Sequence, residues 1–158
     1  MIWGNKRMAE WALYNVYPFK ESLINPASID LRLGKKYRIP SPSRWSEVFD
    51  GFDDGIKLVP GGIYLLHTLE FTKIPDNASG ILYLKSKTMR KGVEILHGGY
   101  GDPGFNGQWT LTVVNHWPYE ITVYPGDKFV QLVLFDVDGI DLSYRQTGHY
   151  QGSVGPTG

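Results

Sequence analysis

The sequence predicts an all-β domain with one short helix near its N-terminus and a glycine-rich tail. Three observations lead there. Apolar residues recur in short runs of β-branched and aromatic type, such as Gly80–Leu84, Trp109–Val114 and Lys128–Val137. Turn signals separate the runs: Pro60-Gly61-Gly62, Pro75-Asp76-Asn77 and Pro125-Gly126-Asp127. The chain also carries 19 glycines, 10 prolines and 14% aromatic residues, which suits many short strands joined by tight turns. Its 158 residues fit one domain with a real core.

In chain order, Lys6–Asn15 is the best helix candidate, with Met8, Trp11 and Ala12 near one face and an end expected before Pro18. Ile29–Ile39 alternates Ile29, Leu31 and Leu33 against Asp30 and Arg32, a half-buried strand pattern. Pro40–Gly55 reads as an exposed excursion anchored by Trp45, Phe49 and Phe52. Ile63–Ile74 is the next strand, or two. Lys85–Lys91 lacks strand alternation and reads as a short helical turn before Val93–Leu96 returns to strand. From His97 to Asn115 a glycine-rich hairpin presents Asp102 and Pro103 at a stiff corner, then feeds the strand Trp109–Val114. Glu120–Tyr124 and Lys128–Val137 flank Pro125-Gly126-Asp127, a hairpin signal. Residues 143–158 are too polar and glycine-rich to pack by themselves and read as a flexible C-terminal arm on a body of residues 1–142.

Composition narrows the chemistry. With 16 basic and 16 acidic residues there is no global field to draw in nucleic acid or an anionic membrane, so any anion must be held by a local cluster. The absence of cysteine removes disulfides, thiolate nucleophiles and cysteine-ligated zinc together. No apolar run approaches the ~20 residues that span a bilayer, and the N-terminus lacks a signal-peptide core. The expected location is the cytoplasm.

Lys85, Ser86, Lys87 and Arg90 form the densest cluster of cations and hydroxyl donors. It suits a polyphosphate held by charge-assisted hydrogen bonds, or simply a solvated basic turn. Asp102 has two readings, a general base for a water and a turn aspartate bonding its own backbone. Phe105 suits packing beneath a sugar or within the core. The four histidines show no HExxH or HxxxH spacing. Gln131 sits within a Val-, Leu- and Phe-rich strand where burial is expected, so it needs a partner.

In order, five segments resemble the motifs of the family that unites trimeric dUTPases with dCTP deaminases. Asn25-Pro-Ala-Ser-Ile-Asp-Leu-Arg-Leu-Gly34 is similar to its S-x-D-L-x-L-G motif, and Lys85-Ser-Lys-Thr-Met-Arg-Lys-Gly92 to R-S-S-L-A-R-x-G. Asp102-Pro-Gly-Phe-Asn-Gly107 resembles D-P-G-F-x-G, Pro125-Gly-Asp-Lys-Phe-Val-Gln-Leu132 resembles P-G-D-x-I-x-Q-L, and His149-Tyr-Gln-Gly-Ser-Val-Gly-Pro-Thr157 resembles the deaminase-type tail K-Y-Q-G-Q-x-G-P-T. The resemblance implies a distorted jelly-roll (a dUTPase-like β-clip barrel), a homotrimer with active sites between subunits, a deoxynucleoside triphosphate substrate, and Mg2+ carried on its phosphates. By position, Ser86 assists the leaving group. Lys85, Lys87 and Arg90 neutralise phosphate charge, Gln131 and Tyr144 bind the phosphate chain, and His149 takes the place of the tail lysine. Asp102 holds the 3'-hydroxyl and the attacking water, Phe105 packs under the deoxyribose, and Asp30 buttresses the site.

Departures from the motifs separate the family's two activities. The deaminase general base is a glutamate ten residues after the Asp102 equivalent; here that residue is Thr112, which cannot accept a proton at neutral pH. The tail glutamine associated with the cytosine amino group falls at Ser153. Asp102 remains the one catalytic carboxylate in place. The resemblance therefore implies a dUTP diphosphatase, with a dCTP deaminase, bifunctional or not, and a non-catalytic nucleotide-binding protein as rivals. Lys85 and Lys87 replace the motif's arginine and second serine, so the bidentate fork is lost while charge is kept.

Overall fold

The computed structural model describes residues 1–51, 54–96 and 99–158; Phe52, expected to be an anchor, and His97 and Gly98, at the start of the glycine-rich hairpin, lie outside the described residues. The chain order is α1 (Asn5–Asn15), β1 (Ser28–Arg32), β2 (Ile56–Leu58), β3 (Ile63–His67), β4 (Phe71–Lys73), β5 (Ala78–Leu84), α2 (Ser86–Met89), β6 (Val93–Ile95), β7 (Thr110–Asn115), β8 (Ile121–Val123), β9 (Lys128–Asp136) and α3 (Tyr144–Thr147), with several two-residue ladders between them. The expected all-β, distorted jelly-roll class with one short N-terminal helix is the fold observed.

Helix α1 buries Met8, Trp11 and Ala12, an i, i+3, i+4 stripe, and the Trp11 indole donates to the Lys73 carbonyl oxygen at 3.0 Å. Val16 leaves the helix in extended conformation and pairs with Thr72.

The larger sheet is antiparallel throughout, in the order Tyr100–Gly101, β5, β9, β1, Ile24–Asn25. Its spine is the β5–β9 ladder, in register from Ala78 opposite Asp136 to Leu84 opposite Val130. A second sheet runs β6, β7, β3. Leu31, Leu132 and Leu134 from the first sheet and Leu66, Leu111 and Val113 from the second share one buried cluster. Fully burying each such side chain stabilises the fold by roughly 1.5–3 kcal/mol.

Two sequence expectations change. The run Ile29–Ile39 is not one strand, because the chain changes sheets at Leu33–Gly34: Leu33 bridges Thr68, and the Gly34 amide donates to the His67 carbonyl oxygen. A Cβ on Gly34 would lie 2.1 Å from the His67 ring, so only glycine allows the crossing. Likewise Pro125-Gly126-Asp127 does not close a hairpin. Strand β8 pairs with β2, and β9 with β1 and β5, so the turn is a corner between sheets, with Gly126 at φ +90°.

The corner between β3 and β4 is the most heavily wired segment. Glu70 is fully buried; it accepts from the Arg32 backbone amide at 2.6 Å and from Arg32 Nε at 2.5 Å. The Thr68 hydroxyl donates to the Glu70 carbonyl oxygen and accepts from the Trp109 amide. Beside it His67 is buried, with Nδ1–H donating to the Thr68 carbonyl oxygen at 2.8 Å and Nε2 accepting from the Lys36 amide at 3.2 Å. Burial pushes the imidazole below its usual range, helped by the Lys36 charge and opposed by the Thr68 hydrogen bond. No helix among the described residues is long and apolar enough to cross a membrane.

Two outcomes are expected. Glu70→Ala leaves the mostly buried Arg32 guanidinium without a counter-charge, held only by the Pro18 carbonyl oxygen, and lowers stability by about 3–5 kcal/mol, measured by urea unfolding. His67 is depressed in the folded state, so its contribution is complete above the unfolded value of 6.5 and is lost as the pH falls toward the folded pKa. Unfolding midpoints therefore drop as buffers move from pH 7.5 to 5.5, while the His67 ring proton resonance keeps its neutral position over the first part of that range.

Candidate active site

The motif residues separate into two groups. The first surrounds Asp30, which is 1% exposed in the middle of β1. Its Oδ1 accepts from Lys85 Nζ at 2.7 Å and from Asn25 at 2.8 Å, and its Oδ2 lies 3.1 Å from Lys128 Nζ. Burial works to raise the pKa of Asp30; the hydrogen bonds from Lys85, Lys128 and Asn25 outweigh it and hold the carboxyl below its usual range. Lys85 is thereby fixed by a buried carboxylate at the entry to α2. Ser86 and Lys87, in that short helix, and Arg90, just past it, are exposed. Gln131 faces Asp30 and Tyr83 in the strand register and is half-buried, so the need for a buried partner expected from sequence does not arise. Lys128 carries no expectation from sequence, because it fills the variable position of the P-G-D-x motif.

The second group lines a cavity of about 510 Å³, within the range of small-molecule sites. Asp102, Phe105, Thr112 and Tyr144 all face it. The main-chain turn is closed by the Phe105 amide donating to the Asp102 carbonyl oxygen, and Gly104 has φ +87°. The exposed Asp102 carboxylate makes no hydrogen bond among the described residues, so it is not the self-bonded turn aspartate of the alternative sequence reading. Phe105 is 8% exposed, its ring 4.8 Å from that of Trp109 and 5.8 Å from that of Tyr144. It is both core and cavity wall. A second cavity of about 400 Å³ adjoins the first and shares Tyr100, Asp102 and Tyr144 with it.

The tail packs where the sequence reads it as too polar to do so. Its polar groups are satisfied by alternate residues of the hairpin. Gln151 bonds the Gly104 carbonyl oxygen and the Asn106 amide, and the Gly152 amide donates to the Asn106 carbonyl oxygen. The Gln108 amide donates to the Ser153 carbonyl oxygen, while the Gln108 side chain accepts from the Gly155 amide. Thr157 bonds the Thr110 hydroxyl, and Arg38 Nε donates to the Pro156 carbonyl oxygen at 3.0 Å. At the tail's root, Ser143 caps α3 and donates to Asp76 at 2.7 Å, which seats Tyr144 with its amide on the Pro103 carbonyl oxygen. Ser153 and Thr157 thus become cavity walls, whereas His149 is exposed with its ring on Tyr150 and stands outside the lining. Gln108, just past the Asp102–Gly107 segment, and Asp76, in a turn, anchor the tail and leave no sequence signal.

The two groups do not meet within one chain. Ile81 pairs with Tyr100 and Gly80 with Gly101, so Asp102 continues toward the level of Ser79. From Ser79 to Leu84 the strand β5 runs five residues, about 17 Å at the rise of an extended chain, and Ser86 follows beyond that end at the start of α2. Among the described residues no cluster of three or more His, Asp or Glu side chains is arranged to hold a metal ion.

A dCTP deaminase-like family model matches residues 5–137. The chain is 32% identical over 151 residues to a probable deoxyuridine 5'-triphosphate nucleotidohydrolase of Methanothermobacter thermautotrophicus, covering 91% of this chain and 98% of that protein. It is 35% identical over 161 residues to a dUMP-forming dCTP deaminase of Nocardia farcinica, covering 90% and 80%. It superposes with a TM-score of 0.70 and 22% identity on the 2'-deoxycytidine 5'-triphosphate deaminase of Agrobacterium tumefaciens, over 84% of this chain and 47% of the other. The chain thus spans about half the length of that deaminase, and the match speaks for the fold alone. Relatives of both kinds are enzymes of nucleotide metabolism, and the chain belongs to the dCTP deaminase-like family.

Proposed function

We propose that the protein is a dUTP diphosphatase that hydrolyses dUTP to dUMP and pyrophosphate. The observation that carries this reading is the pair Asp102 and Thr112 on the wall of one cavity. A carboxylate with no competing hydrogen bond among the described residues stands at one position, and a hydroxyl takes the place of the deaminases' glutamate at the other. Asp102 orients a water toward the α-phosphorus and takes up its proton as the new oxygen–phosphorus bond forms. The bond from the α-phosphorus to the bridging oxygen breaks, and pyrophosphate leaves. Phe105 lies under the deoxyribose, and Tyr144 and the tail of residues 143–158 close over the body of residues 1–142, excluding water.

The placement of Asp102 and Ser86 toward opposite ends of β5, about 17 Å apart along the strand, favours a site completed by a second copy of the chain. In that arrangement Ser86, Lys87, Arg90 and Gln131 of one protomer meet the triphosphate held at Asp102 of its neighbour, and the assembly is a cytoplasmic homotrimer. Lys85, held by Asp30, sets the position of Ser86. Among the described residues no carboxylate cluster would hold Mg2+, so it would be carried on the triphosphate oxygens. When bound, it supplies charge neutralisation at those oxygens.

The test is to incubate the purified protein with each deoxynucleoside triphosphate and follow pyrophosphate and ammonia together. Pyrophosphate from dUTP without ammonia from dCTP is expected. Ammonia from dCTP would restore the deaminase reading, and tight dUTP binding without turnover would indicate a binding protein. Asp102→Asn should fold, bind dUTP and lose about 10²–10⁴-fold in rate. A second outcome concerns the shared site. Asp102→Asn and Ser86→Ala subunits, each inactive alone, should regain activity when co-expressed, since about a quarter of all interfaces in the mixed assemblies join two intact halves. Activity that stays at the level of the single variants would rule out sharing.

A further inference from the structure

Outside the segments that carry the family motifs, one unengaged cation lines the larger cavity. Arg44 is exposed at the tip of a small hairpin in which Pro40–Ser41 pairs with Arg44–Trp45. Among the described residues it is the one non-glycine residue with positive φ, at +93°. A long side chain held in that region is strained, and such strain concentrates at ligand-binding positions. Its guanidinium makes no hydrogen bond or ion pair among the described residues. Arg38, on the same excursion, is by contrast committed to the Pro156 and Ser46 carbonyl oxygens.

The strand pairing shows which end of the cavity Arg44 occupies. The cavity wall runs along the hairpin strand from Asp102 and Phe105 through Gln108 and Thr110 to Thr112. Thr112 pairs with Leu65, and Leu65 bridges Arg38 at the base of the excursion. Trp45 and Leu65 both meet Gly158, so the small hairpin sits at the Thr112 end, away from Tyr144. With the deoxyribose over Phe105 and its 3'-hydroxyl at Asp102, the base extends toward Thr112 and Arg44; this placement rests on the dUTP reading above.

We propose that Arg44 is a specificity-determining residue that reads the base by donating to the C4 carbonyl of uracil. Uracil presents an acceptor at C4 where cytosine presents an amino donor, and a guanidinium only donates. Arg44 therefore attracts one pyrimidine and meets the other donor to donor. Such discrimination explains why a cation is held in a costly backbone conformation beside a neutral base.

The test uses the full chain in EDTA, which suppresses turnover, with calorimetric Kd values for dUTP and dCTP. The proteins compared are wild type, Arg44→Gly and Arg44→Lys. Glycine accepts the positive φ, so Arg44→Gly should melt at or above the wild-type temperature. Its Kd for dUTP should rise about ten-fold, the scale of one good base-edge contact, while that for dCTP stays within about two-fold. Arg44→Lys, a donor without the fork, should recover part of the preference. Equal weakening of both nucleotides would assign Arg44 to general charge attraction and overturn the proposal, as would unchanged affinities or a wild type that binds neither nucleotide. Pyrophosphate release by the wild type tests the hydrolase reading separately: an Arg44-dependent preference for dUTP without turnover sustains this inference and sinks the hydrolase.

Discussion

The buried pair of Glu70 and Arg32 is the constraint on which the site depends. A carboxylate at zero exposure is tolerated only when its charge and lone pairs are met, and Arg32 meets them with both a backbone amide and its guanidinium. The pair welds the corner at Thr68–Glu70 to the end of β1. From that corner the connections fan out. Thr68 holds the Trp109 amide, and the Leu69 carbonyl oxygen receives the Gln108 side chain. The strand that carries Asp30 and the hairpin that carries Asp102 are thus fixed to each other through three consecutive residues. Loss of that corner would loosen both halves of the chemistry together.

Electrostatics divides the labour between the halves. Around Asp30 a single buried negative charge is matched by two lysines, so the surface there is net positive although the chain as a whole is neutral. Around Asp102 the walls are aromatic and hydroxylic, and two charges line them without a partner among the described residues, the Asp102 carboxylate and the Arg44 guanidinium. A triphosphate nucleotide has the complementary polarity, with its charge at one end and a flat neutral base at the other. The tail joins the second half by satisfying its own backbone against alternate hairpin residues, which turns a polar, glycine-rich sequence into cavity wall.

Much of this was legible in the sequence, for identifiable reasons. Strands β5, β7 and β9 announced themselves by β-branched and aromatic runs, and α1 by the spacing of Met8, Trp11 and Ala12. Asp102 and Phe105 stood out in the sequence because type and spacing coincide in one short segment, and both line the cavity. Pairing across sheets was not legible. Nothing local in Ile29–Ile39 reveals that the Gly34 backbone must lie on a histidine ring, and Pro125-Gly126-Asp127 has the same composition whether it closes a hairpin or turns a corner. Glu70 left a faint signal, a lone carboxylate in the apolar run Ile63–Ile74, but its meaning required Arg32, far away in the chain. Arg44 left none, since backbone strain at an arginine has no compositional trace.

The β5–β9 ladder acts as a ruler. Asp102 hangs from one end of β5 through its pairing with Tyr100–Gly101, and Ser86 follows directly from the other. Because strand side chains alternate between faces, one inserted or deleted residue between Ser79 and Lys85 would change the length of the ruler and turn everything beyond it over. The excursion from Pro40 to Gly51 carries only two-residue ladders, Pro40–Ser41 with Arg44–Trp45 and Phe49–Asp50 with Lys36–Tyr37, and the stretch Glu47–Val48 between them tolerates insertions or deletions. Length variation in related chains should therefore gather in the excursion and spare β5, a pattern set by geometry before any chemistry acts on it.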